Sequence, residues 1–283
     1  ETVDLSRYVS AVPGNVRARK LLGATLVRKN DPQKAIDILL PLQGTKGEDA
    51  QVMSLLGSAY MRTGKFSEGA ALFEKAASAA PEVSSIRTQL ALSRLAQGAS
   101  EKAVGDLEAA INLDPDAKQA SILLTLVHLR KREFDAALKT ALVLQKSMPD
   151  NPLADNLIGA AQLGKGQTAE ARKTFEAALK KKANFHPARM NLAQLDLRDK
   201  NVKGAISHYE TIVKEDPKHV GAMMALAGVA ASEKRPGDVV SWLRKAGDAN
   251  PKSVAPRLRL IQHHGQLREF TRALSIARDL KSK

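Results

Sequence analysis

The 283-residue sequence contains no cysteine. Disulfide frameworks, thiolate zinc sites and cysteine nucleophiles all require a thiol, so none operates in this stretch. The compartment stays open, because such a chain suits reducing and oxidising surroundings alike. Aromatics are scarce, with six Phe, three Tyr and one Trp. Acids are outnumbered, 30 Asp+Glu against 44 Lys+Arg, leaving a formal charge of +14. No apolar run approaches the roughly 18 to 20 residues of a membrane span. Glu1 opens without the basic, apolar, small-residue order of a signal peptide, so export signals are either absent or upstream.

What is present is aliphatic: 43% of the residues are hydrophobic, Ala and Leu foremost, which suffices for a buried core. Prolines stand at Pro13, Pro81, Pro115, Pro149, Pro217 and Pro251, always 34 or 68 residues apart, with Gly47 and Ala183 in the vacant slots. A period of 34 marks a repeat architecture and overrides any domain count taken from length. Repeats then start at 16, 50, 84, 118, 152, 186, 220 and 254, the eighth cut short. The seventh place is a large aliphatic every time: Leu22, Leu56, Leu90, Leu124, Ile158, Leu192, Leu226 and Leu260. The eighth is small except at Thr125 and Ile261, and a small residue there lets two helices approach closely. The twentieth and twenty-fourth places, Ala103 and Leu107 in the third repeat, form the facing surface of a second helix.

Apolar positions recur at three and four residues, which is helical spacing, and nothing alternates at period two over a strand's length. Turns such as Thr63-Gly64-Lys65, Gln97-Gly98-Ala99 and Gly164-Lys165-Gly166 separate the halves of a repeat, Gly supplying the left-handed conformation that ends a helix. The proline near each repeat's end closes the second helix. Each repeat is therefore expected to be a helical hairpin.

Leu56-Gly57 followed by Tyr60, Gly64, Phe66, Phe73, Ala76 and Pro81 resembles the tetratricopeptide (TPR) signature. The resemblance spans residues 16 to 283 and implies an all-α fold, a right-handed α-solenoid of helix-turn-helix repeats forming one continuous array. Residues 1–15 fit the second helix of a preceding repeat, with Leu5 and Tyr8 inward and Pro13 terminal. With that mid-repeat start, and with no polar capping helix before Lys283, a fragment of a longer protein is expected. The runs Arg87–Gly98, Asn151–Gly166 and Pro187–Leu197 are similar to the TPR-repeat lipoproteins of the bacterial PEP-CTERM/exosortase system. That similarity implies a role in exopolysaccharide production or protein sorting, on the periplasmic side of the cell envelope. It also implies membrane attachment through an upstream lipid anchor; a generic TPR resemblance alone would suit the cytoplasm.

Catalytic residue types are sparse, and no catalytic site, metal site or cofactor is expected. His128 and His264 fall at the eleventh place, where the repeat packs an aromatic; His186, His208, His219 and His263 lie at scattered phases. No second His or carboxylate shares a face with any of them at chelating spacing. Adjacent His263 and His264 point roughly 100° apart on a helix. Gly164-Lys-Gly-Gln-Thr-Ala169 matches the dinucleotide-binding pattern, but that pattern carries its mechanism only between a strand and a helix, and here it joins two helices. Tyr60, Phe66, Phe73, Phe134, Phe175, Tyr209 and Phe270 fall at core places, leaving Phe185 and Trp242 as candidates for exposed stacking, so nucleic acid is a poor fit. Lys146, Lys180 and Lys214 share a phase in the last turn of a second helix, where a cation complements the helix dipole.

Arrays of the resembled kind hold extended peptides or partner helices on their inner face. By phase, places 2, 5, 9, 12 and 13 of the first helix point inward. Those places carry Arg17, Lys20, Arg28, Arg62, Arg130 and Arg198 and no Asp or Glu. Beside them run Met61, Leu95, Leu129, Leu163 and Leu197 at the twelfth place, which either pack between first helices or reach the surface. Gln119, Asn156, Asn191 and Gln194 add amides. Such a surface suits a protein or peptide with apolar anchors and acidic flanks, with an acidic polymer, an anionic polysaccharide or nucleic acid, as the alternative. The carboxylate clamp of chaperone-tail-binding TPR domains is missing: Lys20 stands at its first place, but Ala24, Leu55, Ser85 and Gln89 occupy the others.

Overall fold

The fold was described from a computed structural model covering residues 2–44 and 49–281; Gly47, one of the vacant proline slots, lies outside them. Among the described residues all regular structure is helical. The chain divides into two compact units, Glu1–Ser147 and Met148–Lys283. The N-terminal unit holds α1 (Thr2–Ala11) and four hairpins: α2 (Val16–Arg28) with α3 (Pro32–Leu39), α4 (Ala50–Arg62) with α5 (Phe66–Ala79), α6 (Ser84–Ala96) with α7 (Ser100–Leu113), and α8 (Lys118–Lys131) with α9 (Phe134–Ser147). The C-terminal unit holds four more: α10 (Pro152–Gly164) with α11 (Thr168–Lys181), α12 (His186–Arg198) with α13 (Val202–Glu215), α14 (Val220–Ser232) with α15 (Pro236–Ala249), and α16 (Ala255–Gln266) with α17 (Phe270–Lys281). Seven first helices start at the expected residue; the eighth starts one later, at Ala255.

Local chemistry sets the helix starts. Asn15, Asp49 and Asn151 accept backbone amides of the first turn at 3.0, 3.0 and 2.9 Å. The His219 ring does the same through Nδ1, 3.0 Å from the Ala222 amide. Pro32, Pro152 and Pro236 open their helices, where a missing N–H costs nothing.

The helix stops follow one rule. At the fifteenth place of every repeat the backbone is left-handed: Gly64, Gly98 and Gly166 as expected, but also Asn30, Arg132, Lys200, Lys234 and Arg268, with φ from 55° to 62°. In all eight turns the amide of the sixteenth residue donates to the carbonyl of the eleventh, at 2.8 to 3.0 Å. Five side chains thus accept a conformation that costs an L-residue about 1 kcal/mol, because the closing bond repays it.

Every seventh-place aliphatic is at most 5% exposed. The eighth place seats the twenty-fourth: a Cβ added to Gly23 would stand 2.6 Å from the Leu39 side chain, and one on Gly159 2.6 Å from Phe175. The two places exchange volume. Gly23, Gly57 and Gly159 face Leu39, Phe73 and Phe175, whereas in the fourth repeat Thr125 goes with Ala141, both fully buried. Thr125 settles its hydroxyl on the Ser121 carbonyl at 2.8 Å.

Some expected core aromatics are outside. Tyr8 is 48% exposed, and the neighbouring Val9 is buried at 3% in its place. Phe66 and Phe270, the first residues of their second helices, are 38% and 61% exposed. Phe185 and Trp242, the two ambiguous aromatics, pack as half-buried side chains against core clusters.

Candidate partner-binding surface

Of the forty inward places, five in each of eight first helices, only Val27 and Thr88 are buried. Helical phase explains this. Places 3, 7, 8 and 11 turn toward the second helix and the neighbouring hairpin, so places 2, 5, 9, 12 and 13 are left facing water.

In the N-terminal unit Arg17, Arg28, Arg62, Gln119 and Arg130 are exposed, while Lys20, Leu95 and Leu129 are half-buried. The twelfth-place row therefore does both things considered for it, packing with one side and presenting the other. Lys20 is ion-paired to Asp49, which also caps α4. Burial raises the Asp49 carboxyl, but the bonds from Lys20 and from the Val52 and Gln51 amides outweigh it and hold the group below its ordinary value. Arg62 donates to Asn30 at 3.0 Å, Arg130 to Ser100 Oγ at 2.8 Å, and Arg28 to Thr25 at 3.5 Å. Two of these bonds reach back to the preceding hairpin, which orients the guanidinium. In the C-terminal unit Gln194 and Arg198 are exposed, and Asn191 donates to Asn156 at 2.9 Å across consecutive first helices.

The absence of acid goes further than the chosen places. The eight repeat first helices together contain fourteen Lys and Arg against two Asp, a net +12 of the chain's +14. Both acids, Asp155 and Asp196, are buried at 2% and 5% exposure. Asp155 meets Lys181 at 2.5 Å, and Asp196 meets Arg172 at 2.8 Å with His208 at 3.6 Å. Burial pushes His208 below its ordinary value despite that carboxylate. The exposed first-helix surface therefore carries no negative side chain.

Sequence reasoning missed a set of polar ties at the eleventh place. Arg94 binds Asp106 at 2.5 Å and Glu74 at 2.7 Å, joining α5, α6 and α7; burial pushes the Asp106 carboxyl up against the pull of Arg94. His128 and His264 are buried as expected, yet each does have a carboxylate, Glu133 at 2.7 Å and Glu269 at 2.5 Å from Nδ1. Helical spacing could not show these pairs, because the left-handed turn folds the sixteenth residue back over the eleventh. The available signal was the pair itself, His at eleven with Glu at sixteen, in two repeats. Among the described residues no three His, Asp or Glu converge as a metal site would require, and no helix is long and apolar enough to cross a membrane. The dinucleotide-like run 164–169 is the turn between α10 and α11.

Stacked hairpins with a shared closing turn define an α-solenoid. Two sequence profiles of the tetratricopeptide repeat match the chain, one over residues 26–84, 54–108 and 88–152 and the other over 162–227. The chain belongs to the tetratricopeptide-repeat proteins. Similar solved structures include a tetratricopeptide repeat protein from Parabacteroides merdae (15% identity, TM-score 0.70, 83% of this chain and 93% of that one). Others are the APC/C hetero-tetramer Cut9-Hcn1 (20%, 0.61, 96% and 52%) and MamA from Desulfovibrio magneticus (17%, 0.55, 62% and 99%). The chain thus spans about half the length of the first of these two. At these identities the likeness concerns the fold. No curated protein matches the chain.

Proposed function

We propose that the chain is a noncatalytic scaffold whose first-helix faces hold a partner protein segment with apolar anchors and acidic flanks. The observation carrying this reading is the first-helix charge: exposed Arg and half-buried Leu lie side by side, and the two acids are withdrawn into buried ion pairs. An acidic flank approaching this face meets no like charge, and its apolar anchors find Leu95, Leu126 and Leu129 within reach of water. The similarity of 87–98, 151–166 and 187–197 to envelope TPR lipoproteins supports a partner in bacterial exopolysaccharide production or envelope sorting, with the chain on the periplasmic side.

Partner capture from a bacterial envelope extract tests the surface. The double variant Arg62→Glu, Leu129→Asp should lose capture with helical content unchanged by circular dichroism; retained capture would discard the surface. Salt decides the partner's chemistry. A groove dominated by apolar anchors responds weakly to ionic strength, whereas an anionic polysaccharide held through its charges would release steeply as salt rises.

A further inference from the structure

The bulky lining of the first-helix face gives way in the last two repeats. Repeats two to six each carry Leu or Met at the ninth or twelfth place, whereas the seventh has Gly228 and Ala231 and the eighth Gln262 and Gly265. A Cβ added to Gly228 would meet nothing within 4 Å, unlike those on Gly23 and Gly159. The missing side chains leave an open cavity of about 270 Å³ between α14 and α16, floored by Gly228, Ala231 and Leu243. Its rim comes from one face of α16: Arg259, Gln262, His263 and Gln266. Among the described residues no carboxylate lines it. His263 Nε2 is buried without a hydrogen-bond partner, an uncommon state for an imidazole nitrogen.

We infer that this cavity is a binding site for a single carboxylate on a short aliphatic stem, carried by the partner segment. The volume falls just below the range of small-molecule cofactor sites, which is the size for one side chain. The small residues of α14 receive the methylenes. Arg259, the one fixed cation among the lining residues, supplies a charge of the right magnitude for a monoanion, and Gln262, Gln266 and His263 add N–H donors to the same rim. A phosphate dianion would ask for a second cation that the rim lacks. This site rests on the reading of the first-helix face as a partner surface and names the group it recognises there; a glutamate side chain and a free C-terminus offer the same chemistry.

Two measurements on the full chain test it. In proton–nitrogen NMR, sodium butyrate should shift the His263 ring and the Gln262 and Gln266 side-chain amides, while butyramide and inorganic phosphate should not. Gly228→Leu with Ala231→Leu, which refills the cavity with the residues the third and fourth repeats carry and adds helix propensity, should abolish the shifts without lowering the melting temperature. Equal shifts with butyramide, stronger ones with phosphate, or shifts that survive the refilled cavity would each overturn the site. Anisotropy with a labelled peptide of alternating leucine and glutamate then separates the sources. Glutamate-to-glutamine replacement should weaken it about tenfold if side chains bind, and C-terminal amidation should do so if the terminus binds. Peptide binding that is lost in Arg62→Glu, Leu129→Asp but unchanged in the refilled variant overturns the cavity alone. Butyrate shifts without any peptide binding overturn the wider surface and leave the cavity standing.

Discussion

The first-helix faces of the two units share one backbone plan and differ in lining. In the N-terminal unit the inward places hold five of the six cations, Arg17, Lys20, Arg28, Arg62 and Arg130, beside Leu92, Leu95, Leu126 and Leu129. In the C-terminal unit they hold a single cation, Arg198, the amides Asn156, Gln194, Gln262 and Gln266, aliphatics such as Leu163, Met190 and Leu197, and the small residues Gly228, Ala231 and Gly265. Both faces offer apolar bulk; the N-terminal one adds charge, the C-terminal one adds amides and, on α14, open space. Such divergence is tolerated because the seventh, eighth, fifteenth and twenty-fourth places build the hairpin, leaving the inward places under a weaker packing constraint.

Breaking the scaffold should have the largest effect and stay within a unit. Arg94→Met strands Asp106 in a mostly buried site, and loss of one partner of such a pair costs about 3–5 kcal/mol. Hydrogen exchange should accelerate in α6 and α7 while protection in α14 and α15 holds; uniform acceleration would mean that the two units unfold together. Next come two first-helix glycines compared directly. Gly159→Leu collides with Phe175 and should destabilise by about 1–3 kcal/mol, whereas Gly228→Leu should be neutral or stabilising; equal melting temperatures would contradict the difference in packing. Smaller still, Lys200→Gly should gain about 1 kcal/mol by relieving a left-handed side chain, and Gly166→Ala should lose a similar amount, both read by urea unfolding.

The smallest effect concerns protons. His208 is held below its ordinary value of 6.5 by burial, so below that pH the unfolded chain binds a proton that the folded chain resists. Stability is fully present above about pH 6.5 and declines as pH falls below it. His208→Asn should flatten that slope between pH 6.5 and 5 relative to the parent chain, measured as the denaturation midpoint.

Much of this was legible in the amino-acid order. The seventh-place aliphatics are buried without exception, and the helix starts at 16, 50, 84, 118, 152, 186 and 220 follow from the period. Legibility fell where a residue's surroundings come from elsewhere in the chain. Phe66 and Phe270 occupy places that look like core yet stand at the first position of a helix; Tyr8 has the phase of a buried residue, but Val9 beside it is the one turned inward. The turns at Arg132, Lys200, Lys234 and Arg268 lacked the glycine that made their equivalents visible. Of the inward residues, phase placed their side chains toward water, while Lys20's engagement with Asp49 and the Asn156–Asn191 bond depend on how neighbouring hairpins dock.

By itself the sequence determined the period, the hairpins and the face each first-helix residue presents, because helical phase is a local property repeated eight times over. Only the tertiary structure decided which polar groups pair, that both first-helix acids are withdrawn from the surface, and that two small residues on α14 leave open space. Those outcomes depend on distances between hairpins, and such distances arise only when the hairpins pack.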